Sequence, residues 1–146
     1  MRLGMVLLLG LQMMMTERLF HQLLFLIVYA DNLVHERELF LAKNLSLMAG
    51  FRSDLPAYFN QLTEQDRYQL LEQSVTELKA LPKEMQTQTV AQLCIVANAD
   101  GFMDKDEWQM IYSIYHNELK LRLDDVLRVQ RQLVAEMKAK QLYLAA

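Results

Sequence analysis

Two short segments of the chain place acidic side chains in the same pattern, ADNLVHERE at residues 30–38 and ADGFMDKDE at residues 99–107. Each segment begins with an Ala-Asp pair, and a Glu follows seven positions after the Asp. Oxygen ligands, carboxylates above all, are what Ca²⁺ and Mg²⁺ prefer, and a turn followed by a helix start can bring such groups together. The chemistry that both segments could support is therefore the binding of a divalent cation.

The second segment resembles the closing half of an EF-hand loop, a motif with ligands at spaced positions around an invariant Gly. Asp100, Gly101 and Glu107 fall on positions 5, 6 and 12 of such a loop, but the apolar Val96 stands at position 1. Each segment is thus half a site, and the two together offer enough oxygens for Ca²⁺ or another divalent cation. The predicted metal ligands are Asp31, Glu38, Asp100 and Glu107, with Asp104 and His35 as further candidates.

Helix capping explains part of the same pattern without any metal. Asp104 can cap a helix that begins at the next residue, and Glu107, three residues later, completes a capping box. Capping does not call for Asp100, and in the first segment His35 stands in the place of Asp104, so we expect weaker capping there. A joint metal site and pure capping both stay open on this pattern.

The acidic segments lie between stretches with helical periodicity. With 4 Gly and 2 Pro in 146 residues, and many Leu, Met, Gln, Glu and Ala, the chain favours helices over strands. Capping residues and apolar periodicity predict helices at about 16–30, 35–49, 63–79, 82–99, 104–115 and 124–137. Ser53 or Asp54 is expected to cap a short turn that runs through Tyr58 and Phe59. Apolar side chains at helical spacing predict one core-facing stripe formed by Trp108, Ile111, Tyr112 and Tyr115.

The two acidic segments belong to an internal repeat. Asp31 and Asp100 are separated by 69 positions, and so are Glu38 and Glu107. Each half, at about 16–50 and 83–121, contains a buried helix, an Asp-led loop and an amphipathic helix. We therefore predict an all-α, single-domain bundle of about seven to eight helices over residues 16–146, with a pseudo-two-fold repeat that brings the loops together.

Composition excludes several classes of function. A formal net charge of −3 and the absence of a basic run argue against nucleic-acid binding. The single Cys94 lies in an apolar run and is expected to be a buried, inert thiol. The sequence contains no catalytic-triad arrangement of Ser, His and Asp, no phosphate-binding Gly loop and no HExxH motif. We therefore predict that the protein is not an enzyme. His21 and His116 are expected to have structural roles.

The hydrophobic residues 1–15 form either an N-terminal extension or an extra helix. One Arg and an apolar stretch resemble the start of a signal peptide, but no small-residue cleavage site follows before Thr16. The stretch is too short to span a bilayer core of about 30 Å. We expect a cytoplasmic protein without a membrane span, and Met13, Met14 or Met15 could each be the true start.

The segment ADGFMDKDEW at residues 99–108 resembles the Asp-Gly-x-x-x-x-x-x-Glu signature of the TerB-like family, named for tellurite resistance and related to a domain of certain co-chaperones. The resemblance covers about residues 17–121 and implies an all-helical bundle with internal pseudo-symmetry and an acidic cation site. Asp100 and Glu107 match the family's acidic pair, as do Asp31 and Glu38 in the first repeat, where Asn32 departs from the Gly.

This resemblance implies a stress-response module that binds a divalent cation and docks protein partners. The alternative is a purely structural interaction domain whose acidic loops only cap helices. Protein partners are expected in both cases, and a homodimer stays open as an oligomeric state.

Overall fold

The structure, a computed structural model, describes residues 15–143. These residues form seven α-helices and one π-helical segment, and they contain no strand. The α-helices are α1 (Glu17–Val28), α2 (Glu36–Met48), α3 (Leu55–Leu62), α4 (Arg67–Lys79), α5 (Lys83–Ala97), α6 (Lys105–Tyr112) and α7 (Leu123–Ala139), and the π-helix is Ser113–Glu118. The all-α prediction is confirmed. The extension or extra helix predicted at residues 1–15 lies outside the described residues, apart from Met15.

Local capping fixes the helix boundaries, and one of them differs from its prediction: Thr63 ends α3, and α4 begins at Arg67 after the cap Asp66. The side chains of Thr16, Asp54 and Asp66 each accept a hydrogen bond from the backbone amide three residues later. Pro82 precedes α5, where the first helical amides have no intrahelical acceptor and a missing N–H costs little. Gly50, with φ +87°, follows the C-cap of α2 in the left-handed region.

Two helices, α1 and α5, form the centre of the bundle. Nearly all of α1 and the second half of α5 are buried, as expected for apolar runs without a polar face. α1 packs against α2, α3, α4 and α5, and α5 also packs against α2, α6 and α7. Within residues 15–143, no helix combines the length and the apolar character needed to cross a membrane.

Each central helix leads directly into one of the acidic segments. α1 is followed by the first loop (residues 29–35) and α2, and α5 is followed by the second loop (residues 98–104) and α6. The helix–loop–helix order predicted for both halves is therefore present. Because α1 and α5 pack against each other in the core, the starting point of each loop is fixed by core packing.

The aromatic stripe of α6 differs from its sequence prediction. Ile111 and Tyr115 are buried as expected, but Trp108 and Tyr112 are 42% and 37% exposed. After Tyr112 the backbone changes to the π-helix Ser113–Glu118, which shifts the angular register of the side chains that follow. The buried residues of α6 are Glu107 and Ile111. Trp108 and Tyr112 each lie one position further along the helix, so the stripe is partly core and partly surface.

Candidate functional site

The first loop is organised around the carboxylate of Asp31. Its Oδ1 accepts a hydrogen bond from the Leu33 amide at 3.0 Å, and its Oδ2 lies 3.1 Å from Nε2 of His35. Asn32 lies between them at φ +63°, a left-handed conformation that Asn tolerates better than most residues. His35 occupies the N-cap position of α2 but makes no side-chain cap hydrogen bond. The weak capping predicted for this segment is confirmed.

Arg67, the first residue of α4, anchors the first loop from outside. Its Nη1 donates hydrogen bonds to the Tyr29 carbonyl at 2.7 Å and to Oδ1 of Asn32 at 2.6 Å. Its guanidinium also lies over the rings of Phe25 and Tyr29, 5.9 and 5.7 Å from their centroids. Sequence spacing gives no signal for this role, because Arg67 lies 35 residues beyond Asn32 and belongs to no local motif.

The second loop is organised around a capping box. Oδ1 of Asp104 accepts a hydrogen bond from the Glu107 amide at 2.8 Å, and Oε1 of Glu107 accepts one from the Asp104 amide at 3.3 Å. Gly101 turns the chain at φ +93°, where a side chain would be strained. The capping predicted for this segment is confirmed, and it gives Asp104 and Glu107 a structural role.

The two loops meet through their side chains. Glu38 and Glu107 influence each other's pKa as hydrogen-bond partners, and Asp104 influences the pKa of Asp31 in the same way. Asp100 lies close enough for its charge to act on Glu38. The structure thus gathers the predicted ligands and both further candidates into one group, here called the acidic cluster: Asp31, His35, Glu38, Asp100, Asp104 and Glu107. Their role as metal ligands stays a prediction.

Glu38 and Glu107 are the buried members of the acidic cluster, each only 3% exposed. Burial, the contact with Glu107 and the charges of Asp31 and Asp100 raise the pKa of Glu38 to about 9. Burial also raises the pKa of Glu107 to about 7, although hydrogen bonds with Glu38 and the Asp104 amide oppose the rise. Loss of hydration favours the neutral carboxyl in both cases. The pair therefore retains a proton at neutral pH, and the two groups titrate together.

Asp31 and His35 form a more exposed ion pair within the cluster. Partial burial acts to raise the pKa of Asp31, but hydrogen bonds with the Leu33 amide, His35 and Asp104 together outweigh it, so the pKa lies below its ordinary value. The hydrogen bond to Asp31 raises the pKa of His35, and nearby acidic charges add to the rise. A protonated His35 therefore neutralises part of the negative charge.

One oxygen of the buried pair lacks a donor. Among the described groups, Oε1 of Glu38 is buried without a hydrogen-bond partner. Two ionised carboxylates cannot donate to each other, so an ionised Glu38 needs either a shared proton or a cation. Carboxylate oxygens with one imidazole fit Ca²⁺, Mg²⁺ or Mn²⁺ better than a thiolate-preferring metal.

The side chains do not form a finished coordination shell. Within residues 15–143, no group of three or more His, Cys, Asp and Glu side chains is placed so that it could hold a metal ion as it stands. A cation would therefore have to displace the shared proton and draw the carboxylates closer together. The cluster has suitable donor chemistry but requires side-chain movement.

The other candidate groups named from the sequence have structural environments. Cys94 is buried, and burial raises the pKa of its thiol to about 12, which makes it a poor nucleophile. His21 is buried with Nε2 at 2.7 Å from Oγ of Ser46, and burial lowers its pKa. His116 is stacked on Tyr112 at a centroid distance of 4.6 Å. These three environments agree with the roles expected from the sequence.

Comparison with known proteins gives one finding for this chain. A family model described as "Tellurite resistance protein TerB" matches residues 17–131. No curated protein and no solved structure shows a significant match. The match covers both helix–loop–helix halves and therefore every member of the acidic cluster.

Proposed function

The chain belongs to the TerB family, and on that premise we propose that it is a non-catalytic, cytoplasmic stress-response module that binds a divalent cation and interacts with other proteins. The cation, Ca²⁺ or a chemically similar ion, is held by Asp31, Glu38, Asp100 and Glu107. His35 and Asp104 take part by holding Asp31 in position. The family's link to tellurite resistance supports the assignment to a stress response.

The observation that carries the proposal is the buried pair of Glu38 and Glu107. Two carboxyl groups buried side by side are unfavourable unless a proton or a cation compensates them. Asp31 and Asp100 add negative charge around the pair and raise the pKa of Glu38. A divalent ion would replace the shared proton and satisfy Oε1 of Glu38, which has no partner among the described groups.

A non-catalytic role fits the burial of the pair. Glu38 and Glu107 are each 3% exposed, which leaves little room for a substrate to reach their carboxyl groups. General acid–base work requires a reacting proton within hydrogen-bond reach of the side chain. A small ion can enter such a site after side-chain movement, whereas an organic substrate requires a formed pocket.

Calorimetric titration of the metal-free protein with Ca²⁺, Mg²⁺, Mn²⁺ and Zn²⁺ tests the proposal. We expect heat with at least one ion, and proton release that appears as a dependence of the heat on the ionisation enthalpy of the buffer. The double variant Asp31→Asn/Asp100→Asn should lose this heat. A matched variant, Glu72→Gln/Asp124→Asn, removes two exposed acids outside the cluster and should bind like the wild type.

The capping box favours a second candidate function, a structural interaction domain without a metal. Asp104 and Glu107 bond to each other's amides, so their presence alone does not require an ion. Absence of heat and of any thermal shift with all four ions would reject the cation site and leave this second function.

A further inference from the structure

Three large apolar side chains of the loops are exposed to solvent. Leu33 is 63% exposed and Val34 is 46% exposed in the first loop, and Phe102 is 71% exposed in the second. Leu33 and Phe102 are equivalent in the repeat, since each follows the residue with positive φ, Asn32 or Gly101. Both turns thus present an apolar side chain at the same position, where it contributes nothing to the core.

Along the chain, these apolar residues alternate with members of the acidic cluster. Leu33 and Val34 connect Asp31 to His35, and Phe102 lies between Asp100 and Asp104. Because the carboxyl group of Asp31 interacts with that of Asp104, the two loops are adjacent, and their exposed apolar side chains belong to neighbouring turns. We call the surface of these turns the loop face, and it consists of Leu33, Val34, Phe102 and the carboxylates of Asp31, Asp100 and Asp104.

The charges around the loop face are mostly negative. Asp106 adds a further exposed acid, and Lys105 and His35 are the neighbouring basic side chains. Arg67 is also nearby, but its guanidinium is already bonded to Tyr29 and Asn32. The face therefore complements a ligand that carries positive charge together with apolar side chains.

We propose that the loop face docks a polypeptide segment of another protein in which Lys or Arg stands between bulky apolar residues. The basic side chain of the segment pairs with Asp31, Asp100 and Asp104, and its apolar neighbours cover Leu33, Val34 and Phe102. Large apolar side chains that are exposed as a group, rather than singly, are typical of interaction sites. The proposal deepens the protein-interaction part of the proposed function and does not depend on a bound metal. It uses the exposed carboxylate of Asp100 and the partly exposed carboxylates of Asp31 and Asp104, which also accept hydrogen bonds within the loops.

Charge also selects this occupant over two others. A symmetric contact between two copies would set acidic cluster against acidic cluster, which repel. An anionic membrane surface attracts basic segments and would repel these carboxylates. The chain's own residues 1–14 contain one Arg and no Lys, so they offer only a single partner for several acids.

The synthetic peptide acetyl-Leu-Lys-Phe-Lys-Leu-amide is a direct probe of the loop face. Trp108 is the single Trp of the chain, follows Glu107 directly and is partly exposed, so its fluorescence can report binding. Amide shifts of the isotope-labelled protein can locate the contact. We expect shifts at residues 31–35 and 100–104, and at least about tenfold weaker binding of peptides with Glu in place of Lys or Ser in place of Leu and Phe.

Two double variants distinguish binding at the loop face from nonspecific binding to exposed apolar side chains. Leu33→Ser/Phe102→Ser removes two exposed side chains and should weaken peptide binding by about tenfold without loss of fold. Leu47→Ser/Tyr68→Ser removes two exposed apolar side chains elsewhere and should bind like the wild type. Circular dichroism and the unfolding temperature check that both variants are folded.

Several outcomes would overturn the proposal. These are equal binding of the Lys and Glu peptides, equal loss in both double variants, or no binding of the Lys peptide at millimolar concentration. A homodimer that Leu33→Ser/Phe102→Ser dissociates would assign the face to a second copy, and nuclear Overhauser contacts from Phe102 to residues 1–14 would assign it to the chain itself.

A last titration separates this proposal from the cation site. If both are right, saturating Ca²⁺ should weaken the Lys peptide, because the ion and the basic side chain use the same carboxylates. If the cation proposal fails, the peptide affinity should be the same with and without Ca²⁺, and docking would still stand.

Discussion

The first loop and the second loop carry equivalent acids but satisfy them in different ways. In the second loop, Asp104 and Glu107 bond to each other's amides and start α6. In the first loop, the His35 side chain makes no cap hydrogen bond. Asp31 instead accepts a hydrogen bond from the Leu33 amide and pairs with the His35 ring. Capping therefore explains Asp104 and Glu107 of the second loop, but it explains neither Asp100 nor the acids of the first loop.

The buried glutamates show the same difference. Oε1 of Glu107 accepts a hydrogen bond from the Asp104 amide, whereas Oε1 of Glu38 has no partner among the described groups. An unsatisfied buried polar group costs about 1–3 kcal/mol, and more when it is charged. A helix start does not require that cost, so the first loop is the half that calls for a ligand.

Replacing Glu38 with a neutral residue should change the unfolding free energy more than the other substitutions that test this contrast. The pKa values of Glu38 and Glu107 are raised from an ordinary 4.5 to about 9 and about 7, so the folded protein binds more protons than the unfolded chain. The resulting stabilisation is complete below about pH 4.5 and is lost as the pH rises towards about 9. Glu38→Gln removes the contribution of Glu38 to this loss of stability. Between about pH 5 and 9, the unfolding free energy of the variant should therefore fall by roughly 2–4 kcal/mol less than that of the wild type.

Urea unfolding of metal-free protein across this pH range measures the effect. Glu72→Gln, which changes an exposed glutamate of α4, is the control and should follow the wild-type pH profile. Parallel profiles for Glu38→Gln and the wild type would show that Glu38 is not held neutral by its surroundings. The two buried glutamates would then be equivalent, and the contrast between the loops would fail.

The second prediction concerns Arg67, which anchors the first loop. Among the described residues, the second loop has no equivalent anchor. Arg67→Met removes the hydrogen bonds to the Tyr29 carbonyl and to Asn32 while it keeps an apolar stem. We expect a loss of about 1–3 kcal/mol in unfolding free energy, because the partly buried Tyr29 carbonyl loses a charged donor. Cation affinity should fall as well, since Asn32 neighbours Asp31.

Arg128→Met is the matched control for that experiment. Arg128 pairs with Asp125 at 3.3 Å on an exposed face of α7, and such pairs contribute under about 1 kcal/mol. Similar small losses in both variants would show that the first loop keeps its shape without Arg67.

Much of the fold follows from local rules that the sequence displays. Thr16, Asp54, Asp66 and Asp104 cap helices because their side chains reach amides three residues away, and this geometry needs no tertiary information. The pairing of the two loops was also predictable from the constant offset between Asp31 and Asp100.

The remaining features depend on tertiary contacts. Arg67 reaches the first loop from a separate helix, and only the packing of α4 on α1 places it there. The exposure of Trp108 and Tyr112 depends on which face of α6 packs against the core, and helical spacing alone does not show that face. The proton shared by Glu38 and Glu107 likewise depends on their burial, which follows from packing.

The smallest expected effect compares the two helix starts directly. Asp104→Ala removes one half of the capping box and should cost about 1 kcal/mol in unfolding free energy. His35→Ala removes a side chain that caps nothing and whose pair with Asp31 is partly exposed, so its cost should stay below about 0.5 kcal/mol. Urea midpoints of the metal-free variants measure both. Equal losses would mean that His35 supports α2 as Asp104 supports α6, and the first loop would then need no ligand to explain its acids.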